Sequence, residues 1–232
     1  MDSTKKNVAL LSLSQGLLLT NNSIMVATNG LVGYALASDK AMATLPVTAY
    51  VVGSALVTMQ MSLLMRRLGR RAGFMLGAGF GMLGASICGL AAYLGDFWLL
   101  CLGTFVVGAY NAAGQYYRFA AADSAEPEFR STAISLVLAG GILGGILGPE
   151  SSKLTKDALA GHPFVGSYLS LVGFGLLALT VLWWLRIPPL SEAERRAPGR
   201  PLATIVAQPA FIVAALAGMV GYGVMNLLMT AT

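Results

Sequence analysis

Charge is scarce in this chain. Asp, Glu, Lys and Arg make up 11% of its 232 residues, less than half the about 25% of a soluble domain. With 56% hydrophobic residues and a mean hydropathy of +0.71, a water-soluble domain of this length is excluded. Cysteine is nearly absent too: Cys88 and Cys101 lie in separate apolar runs, so neither a disulfide framework nor a metal site is implied. The single histidine, His162, falls in a loop with no ligand-type residue beside it and reads as solvated. Without a nucleophile–base constellation, neither an enzyme nor a cofactor is expected. Acidic residues number 10 against 15 basic ones, a net charge of +5. The basic residues sit in loops beside apolar runs, which suits a protein of the lipid bilayer and not a nucleic-acid partner.

What the chain has in abundance is long apolar runs. At 1.5 Å rise per residue, about 20 residues cross a bilayer, and seven runs qualify: Asn7–Tyr34, Ala43–Met65, Gly73–Leu94, Trp98–Ala122, Thr132–Ser152, Ser167–Leu185 and Ala210–Thr232. The fold class is therefore all-α, a polytopic membrane helix bundle. Lys5, Lys6 and Ala35-Leu36-Ala37 give the first run a leader-like frame. Its length and its interruption by Gln15, Asn21, Asn22 and Asn29 favour a retained span over a cleaved leader.

Basic residues orient the spans. With the N-terminus inside, the cytoplasmic segments hold Lys5, Lys6, Arg66, Arg67, Arg70, Arg71, Arg130, Arg186, Arg195, Arg196 and Arg200, and the other side only Lys40, Lys153 and Lys156. That asymmetry places the N-terminus in the cytoplasm of a multi-pass plasma-membrane protein. Trp98, Trp183 and Trp184 fall at span ends, where indoles favour the interface. The segmentation is residues 1–185 as a six-helix domain, 186–209 as a cytoplasmic linker, and 210–232 as the first helix of a second domain. Ser191 and Glu194 in the linker fit a capping box. The seventh span runs to Thr232 without a polar flank, and the expectation is a truncated chain whose C-terminal half is missing.

Six spans, a basic segment after the second, a long linker and a seventh span resemble the N-terminal half of a major facilitator superfamily transporter. The basic segment, Ser62-Leu-Leu-Met-Arg66-Arg67-Leu68-Gly69-Arg70-Arg71, resembles that family's G-x-x-x-[DE]-R-x-G-R-R signature. Arg67, Gly69, Arg70 and Arg71 match; Ser62 and Arg66 depart from it, and Arg66 reverses the sign of the acidic position. Gly144-Gly-Ile-Leu-Gly148-Pro149 matches the core of the antiporter signature G-x8-G-x3-G-P-x2-G, with Ser135 and Ser152 replacing its outer glycines. The fourth-span arginine motif is not recognisable, since Thr104 and Phe105 precede Gly108. The resemblance implies two inverted three-helix repeats and secondary active transport of a small organic solute by alternating access. It favours antiport or efflux coupled to protons, in a bacterial inner membrane, with import or uniport as the alternative. A seven-span receptor or an intramembrane enzyme is a remoter alternative. It also implies that Asp123, at the inner end of the fourth span, pairs with Arg67 or Arg71.

Glycines at spacing four (Gly140, Gly144, Gly148; Gly69, Gly73, Gly77, Gly81) form small-residue ridges. They serve close helix packing in lipid or, around Pro149, flexing. Gly79, Gly81 and Gly84 satisfy G-x-G-x-x-G but follow no strand, so no dinucleotide site is expected. Asn21-Asn22-Ser23 fits a glycosylation acceptor but lies at mid-membrane depth.

Polar residues inside spans are costly and tend to face a bundle interior or a water-filled path. Gln15, Asn22 and Asn29 recur every seven residues of the first span, with Ser14, Asn21 and Thr28 beside them. The fourth span carries Asn111, Gln115 and Arg118 at i, i+4 and i+7, with Tyr110 and Tyr117 alongside; the second carries Tyr50, Ser54 and Thr58; the seventh, Tyr222 and Asn226. Asn22, Asn29, Tyr50, Asn111, Gln115, Arg118 and Asn226 are the expected lining of a central cavity, against the alternative of hydrogen bonds that only join helices. Arg118 serves either solute binding or membrane anchoring. No acidic residue lies deep in a span; Glu150 sits near the outer end of the fifth.

Overall fold

The computed structural model describes residues 3–187, 204 and 206–231. The described residues are helical, without strands. The chain divides into two compact units, residues 1–189 and 190–232.

In the first unit the helices are α1 (Ser3–Leu36), α2 (Leu45–Leu68), α3 (Arg70–Leu94), α4 (Phe97–Gly114), α5 (Tyr117–Asp123), α6 (Arg130–Thr155) and α7 (Val165–Trp183). Short 3₁₀ turns at Lys40–Met42 and Pro127–Phe129 join α1 to α2 and α5 to α6. The second unit contributes α8 (Pro209–Ala231), an apolar helix. Among the described residues, five stretches are long and apolar enough to cross a membrane: Lys40–Leu68, Arg70–Leu94, Phe97–Asp123, Pro127–Thr155 and Val165–Trp183. α1 has the length, at 34 residues, but its polar rows dilute its apolar character.

Local chemistry explains the corners. The basic segment after the second span is not a loop: α2 and α3 are joined by Gly69 alone, at φ +89°. A side chain there is strained, so the glycine is demanded by the turn. The α3–α4 corner is equally tight. Gly95 closes α3 in the left-handed region, and the Asp96 carboxylate accepts from the N–H groups of Trp98 and Leu99 at 2.9 and 3.0 Å, capping α4.

The fourth span, expected as one helix, is two. At its break the Gln115 N–H reaches the Asn111 carbonyl at 3.1 Å, while that of Tyr116 turns tighter to Ala113, also at 3.1 Å. The regular pattern resumes with Ala120 bonding to Tyr116. None of Gly114, Gln115 and Tyr116 is a residue that forbids a helix, so the break comes from tertiary packing.

Glycine sets the helix pairing. A Cβ on Gly144 would sit 2.5 Å from the Thr20 backbone nitrogen, and one on Gly16 would sit 2.8 Å from the Gly140 carbonyl. Farther along, Thr28 and Ser152 hydroxyls meet at 3.3 Å. α1 and α6 therefore run parallel and in near-contact, as small-residue ridges in lipid allow. The same device joins α2 to α4, where a Cβ on Gly108 would meet the backbone of Ser54 at 2.5 Å and of Tyr50 at 2.6 Å. α3 packs antiparallel on α4, with Gly81 against Tyr110 and Gly84 against Val107.

These pairings carry a symmetry. The first span packs on the fifth as the fourth packs on the second, the third on the fourth as the sixth on the first, and the third on the sixth. That exchange is what two inverted three-helix repeats produce.

Lys5, Lys6, Arg66, Arg67, Arg70, Arg71, Arg130 and Arg186 gather at one end of this bundle, and Lys40, Lys153 and Lys156 at the other. Arg195, Arg196, Arg200 and the Ser191–Glu194 capping box lie outside the described residues.

Candidate functional site

Five polar side chains from three helices meet inside the first unit. The Tyr50 hydroxyl of α2 donates to the Asn22 side-chain carbonyl of α1 at 2.6 Å. Asn22 in turn donates to the Asn111 carbonyl of α4 at 3.0 Å. Asn111 donates to the Ser54 hydroxyl of α2 at 2.9 Å, and its carbonyl also accepts from Gln115 at 3.4 Å. The close approach of Gly108 to α2 brings Tyr50 and Ser54 within reach of Asn111. Tyr50 and Asn111 are buried, Asn22 and Ser54 half-buried, and Gln115 exposed, so the cluster opens at Gln115. One turn farther along α2, the Tyr116 hydroxyl donates to the Thr58 carbonyl at 3.2 Å.

The cluster consists of amides and hydroxyls only. Asn111 already accepts two hydrogen bonds and donates one. Gln115 gives one N–H to Asn111 and has a further N–H and a carbonyl.

Other expected cavity residues fall elsewhere. Asn29 is buried and accepts from the Tyr168 hydroxyl of α7 at 2.8 Å, so it joins two helices and does not meet Asn22's partners. The seven-residue row does not share one set of partners: Asn22 reaches α2 and α4, while Asn29, about two turns farther along α1, reaches α7. Gln15 lies toward α6, near Gly141. Asn21 is buried and bonds to the Leu17 carbonyl within α1, so the acceptor-like Asn21-Asn22-Ser23 is interior helix. Arg118 lies beyond the helix break, exposed, with its guanidinium 5.0 Å from the Phe119 ring centre. The side chain of Asn226 lies outside the described residues. Tyr110 and Tyr117 point into the core, where Phe74 meets Tyr117 edge-on at 4.7 Å; among the described residues neither hydroxyl has a hydrogen-bond partner.

The basic end corrects a second expectation. Asp123 pairs with Arg70, not with Arg67 or Arg71. With Gly69 as the sole linker, Arg70 opens α3 and faces α5. Arg71, the next residue, lies over the Trp183 ring at 5.2 Å. Arg67 is exposed. Gly144 and Gly148 are buried against α1, while Pro149 is exposed within a continuous α6.

The opposite end holds a cavity of about 580 Å³ whose acids, Asp39 and Asp96, cap helices. Glu150 bonds to Lys153 at 3.0 Å. His162, expected to be solvated, is half-buried and stacked on Tyr93 at 4.2 Å. Gly79 faces open space while Gly81 and Gly84 pack on α4, so the G-x-G-x-x-G run is helix-packing surface. Among the described residues no His, Cys, Asp and Glu group is arranged to hold a metal.

Sequence had indicated Asn22, Tyr50, Ser54, Asn111 and Gln115 through their spacing. Tyr116 and Tyr168 were missed, since a tyrosine in an apolar run does not announce its partner.

Comparison with known proteins agrees with this architecture. The Major Facilitator Superfamily family model matches residues 11–232. The riboflavin transporter RfnT of Brucella anthropi is 38% identical over 229 residues, 98% of this chain and 58% of its own length. The uncharacterized MFS-type transporter YdeG of Bacillus subtilis is 28% identical over 84% of this chain and 47% of its own. A second from that organism, YddS, is 31% identical over 68% of this chain and 38% of its own. The chain thus spans about half the length of the curated relatives it matches. With a match running over almost all of a multi-pass helical bundle, the chain belongs to the Major Facilitator Superfamily.

Proposed function

We propose that the first unit is the N-terminal half of an alternating-access transporter for a small, uncharged solute rich in hydrogen-bonding groups. The observation that carries this reading is the amide–hydroxyl cluster of Asn22, Tyr50, Ser54, Asn111 and Gln115, three helices deep and open at Gln115. A riboflavin-type solute suits it: the flavin ring and its polyol chain present donors and acceptors with no net charge, as the name of one relative suggests. The solute crosses unaltered, so no catalytic step is assigned.

The remaining half of the pathway belongs to a C-terminal domain that α8 begins. The basic end of the bundle faces the cytoplasm by the positive-inside rule, in a bacterial inner membrane. The resemblance of the Gly144–Pro149 segment to the antiporter signature favours antiport or efflux. Packing of that segment on α1 accounts for its glycines, and transport proceeds by alternating access.

The test is exchange of labelled riboflavin in vesicles containing the full-length protein. We expect saturable exchange, competed by neutral flavin analogues and lost in Asn111→Leu. Exchange unaffected by Asn111→Leu, or a preference for charged solutes, would refute the assignment of this cluster.

A further inference from the structure

The end of α7 holds a second constellation, apart from the polar cluster of Asn22, Tyr50 and Asn111. Two consecutive tryptophans, Trp183 and Trp184, are 64% and 60% exposed. Each carries a cation from a different helix. Lys6 of α1 places its Nζ 5.7 Å from the Trp184 ring centre, and Arg71 of α3 places its guanidinium carbon 5.2 Å from that of Trp183. α7 packs against both α1 and α3, so the two cations flank its end.

We propose that this rim, Lys6–Trp184–Trp183–Arg71, binds the phosphate headgroup of an anionic phospholipid.

Charge supports that occupant. Neither α1 nor α3 has an acidic residue in its first turn. Asp123, the carboxylate that ends α5, is taken by Arg70. Among the described residues no ion pair engages Lys6 or Arg71. A ring face attracts a cation through its quadrupole, yet it supplies no oxygen acceptor for the ammonium or guanidinium N–H groups. A phosphate supplies several. α3 also starts with no side-chain cap, which leaves its first N–H groups and the positive end of its dipole toward the same rim.

The rim is held in place before any lipid arrives. Asn7 donates to the Arg186 carbonyl at 2.8 Å and accepts from the Arg186 N–H at 3.3 Å, tying the chain after α7 to the first turns of α1. Below the rim, α7 exposes Leu176 and Leu177 and α3 exposes Leu76, Phe80 and Leu83. These flanks are apolar, as acyl chains beneath a bound headgroup require. Indoles at the interface and a basic pocket between helix ends are the general chemistry of anionic-lipid recognition.

The experiment places the chain, carrying Trp98→Phe to remove the indole at the other end, in phosphatidylcholine nanodiscs with increasing phosphatidylglycerol. Tryptophan emission and native mass spectrometry are read together. We expect a saturable emission change at low phosphatidylglycerol fractions and retained phosphatidylglycerol in the mass spectrum. At about 1 kcal/mol per basic residue near a membrane, Lys6→Gln with Arg71→Gln weakens this by about thirtyfold. Lys6→Arg with Arg71→Lys keeps the charge and keeps binding, and Lys153→Gln with Lys156→Gln at the far end changes nothing. Equal retention of phosphatidylglycerol by wild type and the double glutamine variant overturns the proposal. So does an identical response to inorganic phosphate in pure phosphatidylcholine discs, which marks a small-anion site in place of a lipid one.

Discussion

Arg70 closes on Asp123 across the basic end of the bundle, joining the first residue of α3 to the last of α5. Asp123 is half exposed, at 54%, so solvent screens the pair. Its coupling in a double-mutant cycle of Arg70→Gln with Asp123→Asn is expected at no more than about 1 kcal/mol. Arg67→Gln combined with Asp123→Asn is expected to be additive. Unfolding in detergent measures both cycles, and coupling to Arg67 equal to that of Arg70 would contradict this pairing.

Two neighbouring glycines of α6 separate packing from flexibility. A Cβ on Gly144 runs into the backbone of Thr20, which cannot move aside, whereas Gly145 has nothing within 4 Å. Gly144→Ala is expected to lower stability by about 1–3 kcal/mol, the usual cost of overpacking. Gly145→Ala is expected to leave the melting temperature unchanged or raise it slightly, since alanine favours a helix. Equal effects at the two positions would remove the role assigned to the α1–α6 contact.

Much of this arrangement was legible in the sequence, for identifiable reasons. Spans are written in hydropathy, which depends on composition more than on neighbours, so the helix ends differ from expectation by only a few residues. Asn22, Asn111 and Tyr50 were legible because a polar side chain within a span must find a partner. What remained hidden were the partners themselves. Asn29 shares the heptad spacing of Asn22 yet meets Tyr168, because about two turns farther along α1 the neighbouring helix is α7. The break at Gly114–Tyr116 was invisible because each residue tolerates a helix. Arg70 could not be told from its neighbours until the one-residue linker fixed which arginine opens α3.

The orientation is testable at two loops. A reporter inserted after Glu126, beside the basic end, is expected to be cytoplasmic. One inserted after Asp157, at the other end, is expected outside. This follows from the gathering of arginines at the α2–α3 corner. Opposite activities would reverse the assignment of both faces.

Tyr50 provides a graded test of the polar cluster. Tyr50→Phe deletes one donor to Asn22 while keeping the ring. Hydrogen bonds between membrane helices average about 0.6 kcal/mol, so the melting point is expected to fall little. Asn111→Leu removes the shared partner of Asn22, Ser54 and Gln115 at once. It is expected to abolish exchange while the protein still inserts. A pair of variants with the same loss of stability and no difference in exchange would make the cluster a helix joint only.

Arg118 is the most exacting case. The helix break separates it from the Asn111–Gln115 row, and its guanidinium lies over Phe119 and makes no ion pair among the described residues. An arginine at that depth serves either as an anchor that snorkels to headgroups or as a planar donor fork at the mouth of the pathway. Lysine keeps the charge and the reach but loses the fork. Arg118→Lys in the full-length protein is therefore expected to insert normally and exchange solute at least tenfold more slowly, a loss of about 1.4 kcal/mol in barrier terms. Phe119→Leu, which removes the ring beneath the guanidinium, is expected to slow exchange less, because the fork survives. Wild-type exchange by Arg118→Lys, with normal insertion, would assign Arg118 to the membrane interface and leave the mouth of the pathway to Gln115.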